Sequence, residues 1–251
     1  MATNSETGGK YQAGFCYACS VNCHKDHKIY ELWTKRTFNC DCGCDRFKDF
    51  TCQLFDKKGF LNETNLYNHN FNGLYCVCNK EAFATECSND LRMSEQSQCV
   101  ICEDWFHLPH IEPIRKCENF EDIFCFQCIR KFSFLVYYFD SYFNISGKKP
   151  KLEESSNSTQ LENSEFSENS CILKKYKNVF NTKHSTDGVT EKLMTSYAIQ
   201  SNWRKKLCRC NDCNMMYEDQ RISFLTVEED SITTYTDKTK NQRQTDIYGM
   251  F

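Results

Sequence analysis

Cys99-Val-Ile-Cys102-Glu-Asp-Trp105-Phe106-His107-Leu-Pro-His110 is the stretch on which the reading of this chain turns. Its Cys-x2-Cys turn sets two thiolates on one side of a prospective metal, and a His-x2-His pair follows at once. Upstream stands Cys76-x-Cys78, and downstream stands Cys125-x2-Cys128. Together these pairs make two four-ligand sets of the nitrogen and sulfur type that zinc prefers. Their order is that of a cross-braced finger, in which pairs one and three share one metal and pairs two and four share the other. The spacing assigns Cys76, Cys78, His107 and His110 to one zinc, and Cys99, Cys102, Cys125 and Cys128 to a second.

A disulfide framework is the competing reading, since cysteine makes up 19 of 251 residues. It does not suit this chain. Residues Met1 to Lys10 are polar and hold no apolar core of a signal peptide. The histidines stand at ligand spacing, which disulfides do not require, and clustered cysteines in a reducing compartment read as metal sites. The net charge of −3 lacks the basic excess of a general nucleic-acid binder. It leaves room for a basic protein partner. No apolar run has the length of a membrane-spanning helix, so the expectation is a soluble intracellular protein of the nucleus or cytoplasm, with no membrane and no direct nucleic-acid partner.

The cysteines divide the chain more sharply than its length does. Residues 1–13 are polar and expected to be disordered. Then come Cys16-Tyr-Ala-Cys19-Ser-Val-Asn-Cys23-His24-Lys-Asp-His27, a short apolar piece, Cys40-Asp41-Cys42-Gly43-Cys44 and Cys52. Such a density of Cys-x2-Cys, His-x2-His and Cys-x-Cys pairs makes Cys16, Cys19, Cys23, His24, His27, Cys40, Cys42, Cys44 and Cys52 candidate ligands.

The run from Phe15 to Gly43 resembles the second half of a UBR box, the zinc domain with which N-recognins read destabilising N-terminal residues. The segment from Gly73-Leu-Tyr-Cys76 onward resembles a PHD finger with histidine as its fifth ligand. Asn202-Trp-Arg-Lys-Lys-Leu-Cys208-Arg-Cys210-Asn-Asp-Cys213 continues the match. In this order the parts are similar to the PHD-bearing branch of the UBR-box family of E3 ubiquitin-protein ligases, which lacks a RING. The resemblance covers roughly residues 14–145 and 200–236. It departs from the family in two ways. The full box has three further cysteines upstream, which residues 1–15 do not supply. The family also holds a basic N-terminal residue with acids at the Cys-x-Cys turn. Asp41 matches one of them, while the next falls on Cys44, with Asp45 one position later. Asp41 and Asp45 are therefore candidate substrate-binding residues. The plainer role for Asp41 is a turn residue that satisfies backbone amides near the metal.

Within the finger, Trp105 has two readings, a wall of an aromatic cage for methylated lysine or a packing residue beneath the metal. The second is favoured. Ser94-Glu-Gln-Ser-Gln98, where a histone-reading finger has an alternating apolar strand, is polar throughout. Glu103 and Asp104 could hold a basic tail, although such pairs usually form a solvated face. Cys87 and Cys117 fall outside the ligand register and are expected to be free thiols. Ile129 to Phe143 carries apolar residues at helical spacing, which predicts a helix closing the finger and packing back on the UBR-like segment.

Residues 147–200 are rich in Asn, Ser, Glu, Lys and Thr, a composition that predicts a disordered linker. Order is expected to return at Trp203. Cys208, Cys210 and Cys213 supply three ligands, and Cys52 or Cys44 is the preferred fourth. Arg221–Val227 and Ile232–Tyr235 read as a hairpin from their β-branched and aromatic content.

The fold expected is a set of small zinc-stabilised α+β modules: a partial UBR box over 14–60, a cross-braced PHD-type finger with its closing helix over 73–143, the linker over 147–200, a Cys-rich segment over 201–236, and a tail over 237–251. Zinc is the expected cofactor, two ions in the finger and one to three more elsewhere. Closed protein ligand sets make these zincs structural, and no catalytic residue is identifiable. The resemblance implies an E3 ligase that binds N-degrons or histone tails and promotes transfer from a ubiquitin-charged E2 by scaffolding. The alternative is a non-catalytic reader of histone tails or N-terminal residues.

Overall fold

A computed structural model describes residues 2–4, 12–33, 35–47, 50–55, 62–81, 96–146, 171–184, 186–231 and 234. The expectations for Cys87, for residues 147–170 and for the 237–251 tail lie outside this set. The chain divides into two compact units, Met1–His110 and Ile111–Phe251.

In the first unit, strands β1 (Ala2–Asn4), β2 (Gly14–Phe15) and β3 (Ile29–Glu31) form an antiparallel sheet in the order β2-β1-β3. Ala2–Asn4 was expected to be disordered; its backbone instead pairs on both sides, Ala2 with Phe15 and with Glu31. Helix α1 (Tyr17–Asn22) starts immediately after Cys16. Strands β4 (Gln96–Gln98) and β5 (Trp105–His107) form a hairpin with Gln98 opposite Trp105. The polar Gln96-Ser-Gln98 run is thus a strand, with register supplied by the turn from Cys99 to Asp104.

Two left-handed glycines are fixed by space. Gly43 has φ 78°, and a Cβ there would lie 2.8 Å from the Cys52 Cβ. Gly73 has φ 75°, and a Cβ there would run into the Tyr30 ring. Only glycine meets both the backbone and the packing demands.

The second unit is built on a three-stranded sheet of order β6-β8-β7. Strands β6 (Ile114–Lys116) and β7 (Asp122–Phe124) belong to the finger sequence, but β8 (Ser196–Ile199) comes from beyond the long insertion. It lies between them, parallel to β6 and antiparallel to β7. All four β8 residues are buried, as a central strand requires.

The closing helix forms as two pieces, α2 (Phe126–Lys131) and α3 (Leu135–Ser146). α3 meets α4 (Ile172–Lys183), a helix inside the segment expected to be disordered; Tyr137 packs edge-on to Phe180 and Tyr138 to Tyr176. α5 (Thr186–Leu193) follows. Polar composition misled here because an apolar stripe of Ile172, Tyr176 and Phe180 recurs every four residues within it. α6 (Asn211–Asp219) begins at Cys210. The strand expected over Arg221–Val227 does not form, since Ser223–Thr226 is a 3-10 turn; its expected partner over Ile232–Tyr235 lies outside the described residues apart from Thr234. No helix among the described residues is long and apolar enough to cross a membrane.

Candidate metal centres

The N-terminal centre is assembled around α1. Its first turn presents Cys16 and Cys19, and Cys23 ends it, donating its backbone N–H to the Cys19 carbonyl at 2.8 Å. The left-handed turn at Gly43 lets Cys42 approach Cys52. The Sγ atoms of Cys19, Cys23, Cys42 and Cys52 all lie within 4.8 Å of one another, and so do those of Cys16, Cys19 and Cys40. Cys19 belongs to both groups, the position of a thiolate shared between two ions.

Zinc–sulfur bonds of ~2.3 Å at a tetrahedral angle put two sulfurs about 3.8 Å apart, and Cys19 Sγ lies 3.8 Å from Cys52 Sγ. A disulfide would require about 2.05 Å. Burial pushes the Cys19 and Cys42 thiols upward in pKa. A bound dication reverses this by stabilising the thiolates.

His24 and His27 also come together, Nδ1 to Nδ1 3.2 Å, close to the ~3.3 Å of two imidazoles on one tetrahedral zinc. His24 is fully buried and stacked between Phe15, at 4.1 Å, and Phe50, at 4.6 Å.

Cys44 is not gathered into a described ligand set. Its buried thiol faces Asp41 Oδ1 at 3.8 Å, and burial raises its pKa.

Asp41 takes the plainer of its two roles. It is fully buried, and its carboxylate accepts the Gly14 N–H at 2.9 Å, the Asn62 amide at 2.7 Å, the Asn65 amide at 3.2 Å and the Tyr67 hydroxyl at 3.0 Å. It ties β2, the Cys40–Cys44 turn and the 62–67 segment together and presents no face to a ligand. Asp45, at the head of a 3-10 turn, is exposed.

In the finger sequence, the ligand atoms of Cys76, Cys78, His107 and His110 lie within 4.8 Å of one another. Cys76 Sγ is 3.4 Å from His110 Nδ1 and Cys78 Sγ is 3.7 Å from His107 Nδ1. A zinc held by one sulfur and one nitrogen separates them by about 3.6 Å. The expected second set is contributed in halves. Cys99 and Cys102 bracket a turn in which the Cys99 N–H donates to the Asp104 carbonyl. Cys125 precedes α2 and Cys128 sits in its first turn.

Glu103 and Asp104 are neither a solvated face nor open to a tail. Glu103 Oε1 pairs with the Arg36 guanidinium at 3.0 Å, and its carbonyl accepts Lys35 Nζ at 2.6 Å. Asp104 accepts the Asn70 amide at 2.7 Å and lies 2.8 Å from His69 Nε2. These contacts join the UBR-like segment to the Cys99 turn. Trp105 packs against Trp33, ring centroids 4.5 Å apart and planes tilted by 42°.

At the C-terminal end the fourth ligand is neither Cys52 nor Cys44. Cys171 stands with Cys208, Cys210 and Cys213, all four sulfurs within 4.8 Å. Cys171 caps the start of α4 and carries no pairing partner at short sequence spacing, so the spacing rule missed it. Cys117, outside every described cluster, uses its N–H on the Ala198 carbonyl at 3.0 Å. The donor sets and separations fit several zinc ions.

Two family descriptions match the chain. Residues 4–55 match the putative zinc finger in N-recognin, the UBR box. Residues 70–139 match the UBR7-like PHD finger. No solved structure matches. Among curated proteins, the mouse "Putative E3 ubiquitin-protein ligase UBR7" is 32% identical over 95% of this chain and 67% of its own length. The human protein of that name is 35% identical over the same shares. "Protein mlo2" of Schizosaccharomyces pombe is 36% identical over 47% of this chain and 36% of its own. With a UBR-box match and a UBR7-like PHD-finger match, and with 32–35% identity over 95% of its length, the chain belongs to the UBR7 family.

Proposed function

We propose that this chain is the recognition and scaffolding part of an E3 ubiquitin-protein ligase. The observation that carries the reading is the succession, in one chain, of a UBR box and a PHD finger, in a sequence 32–35% identical over 95% of its length to relatives named as putative ligases. In this reading zinc at Cys76, Cys78, His107 and His110, and at Cys99, Cys102, Cys125 and Cys128, is structural. Cys16, Cys19, Cys23, Cys40, Cys42 and Cys52 hold the box, with His24 and His27 on a further ion. The box faces a substrate N-terminus, where Asp45 is the accessible carboxylate for a basic first residue, and the finger faces a charged E2 or a histone tail. The gain in rate comes from proximity and orientation, since no side chain of the chain needs to form a thioester.

The test is an in vitro assay with ubiquitin, E1 and a panel of E2 enzymes. Ubiquitin ladders that vanish in Cys99→Ser support the ligase. Their absence across the panel, with retained binding of basic N-terminal peptides or histone tails, makes the chain a reader instead.

A further inference from the structure

The Cys171–Cys213 cluster lies beyond both family matches, which end at residues 55 and 139. Its geometry is that of a metal site. Cys171 Sγ is 3.6 Å from Cys213 Sγ and 3.9 Å from Cys208 Sγ, spanning the ~3.8 Å of a tetrahedral zinc thiolate. The Ile172 N–H points at Cys208 Sγ at 3.3 Å, the kind of outer-shell hydrogen bond that orients and holds a ligating sulfur. Two helices start at the site, α4 directly after Cys171 and α6 directly after Cys210, so their N-terminal ends face the charge of the thiolates.

We propose that Cys171, Cys208, Cys210 and Cys213 hold a structural zinc ion that closes the returning arm of the chain onto the finger. The arm from Cys171 to Cys213 contains α4, α5 and β8, and β8 is the middle strand between β6 and β7. A sheet that takes its middle strand from beyond a long insertion carries a loop-closure cost, and a metal at the two ends of the arm lowers it. The site is anchored to the aromatic body. The Cys208 N–H donates to the Tyr138 hydroxyl of α3 at 3.0 Å, and Tyr138 in turn packs on Tyr176 of α4. The zinc therefore belongs to the fold of the finger's second half, although its ligands are distant from the finger in sequence.

Two measurements on the full chain test this. In the first, thiols of the zinc-loaded protein are alkylated with and without prior chelation and quantified by peptide mass spectrometry. Cys171 and Cys117 are both half-buried, so Cys117 is the reference. Cys171, Cys208, Cys210 and Cys213 should resist alkylation together and become reactive together on chelation, while Cys117 does not change with them. Alkylation of Cys171 in the loaded protein at the rate of Cys117 would overturn the proposal. In the second, native mass spectrometry of Cys171→Ser/Cys210→Ser should show one zinc fewer than the parent, with Cys117→Ser unchanged. An undiminished count in the double variant overturns the assignment. If the double variant does not fold, the alkylation result on the unaltered chain decides.

Discussion

Around Phe15 in the first unit, the buried cluster is Ala13, Phe15, Cys19, Cys23, Cys42, Phe47 and Cys52. Its counterpart in the second unit is aromatic: Phe124 packs on Phe139 at 4.8 Å and on Trp203 at 5.0 Å, and Phe139 packs on Tyr197 at 5.2 Å. In the first case most of the buried side chains are the ligands themselves, so removing the metal leaves crowded thiols and little apolar surface. In the second, Cys125, Cys208 and Cys213 are buried as well, but the rings that pack on one another are not ligands. Around Phe15 the ligands make up most of the core, whereas around Phe139 the core is made of rings that bind no metal.

Chelation should separate the two most strongly. A structural zinc contributes an apparent ~10–16 kcal/mol in small fingers, as much as the whole stability of an ordinary domain, ~5–15 kcal/mol. With excess chelator, hydrogen exchange should show backbone protection lost across residues 12–55. The helix Leu135–Ser146 should keep a measurable part of its protection. Loss of both to the same degree at the same chelator concentration would erase the distinction.

The reverse experiment attacks the aromatic body. Phe139 is buried against three rings, and Phe139→Ala should cost about 3–5 kcal/mol. Denaturant unfolding of the zinc-saturated protein, followed through Trp203, should register the loss. Zinc retained by the first unit should be unaffected, and a fall in its occupancy would mean that the two units do not fold independently.

What the sequence disclosed follows the same division. Ligand pairs at short spacing are local, so Cys16 with Cys19, Cys76 with Cys78 and His107 with His110 could be read from residue order. Cys171 could not, because its partners lie 37 to 42 residues away and it has no near neighbour to mark it. β8 was lost for a related reason: Ser196-Tyr-Ala-Ile199 is too short and too uniformly buried to show alternation. Polar networks were the hardest to foresee. Glu103 binds Arg36 across 67 residues, and Asp41 draws on Gly14, Asn62, Asn65 and Tyr67. Nothing in a carboxylate's own neighbours tells whether it will be buried or presented.

Asp41→Ala sharpens this point. Deleting the carboxylate strands the Gly14 N–H and two side-chain amides in a buried place, at a cost of about 2–3 kcal/mol. The melting temperature of the zinc-loaded chain should fall accordingly. A variant as stable as the parent would show that these partners find water or one another, and would return Asp41 to the candidates for substrate contact.

The smallest effect on folding is expected at Asp45. It is exposed, while its neighbour Arg46 is held by the Gln12 carbonyl at 2.6 Å and by the Tyr67 ring at 4.0 Å. Asp45→Asn removes a charge without stranding a partner, so stability should change by no more than about 0.5 kcal/mol. If Asp45 meets the basic end of a substrate, affinity for a peptide beginning with Arg should fall about two- to fivefold at low salt, equivalent to about 0.4–1 kcal/mol for an exposed pair. The loss should shrink as ionic strength rises. A peptide beginning with an uncharged side chain should lose less. Unchanged affinity for both peptides would remove Asp45 from the proposed site. With Asp41 buried, the box of this chain would then have no assigned carboxylate to read a basic N-terminus.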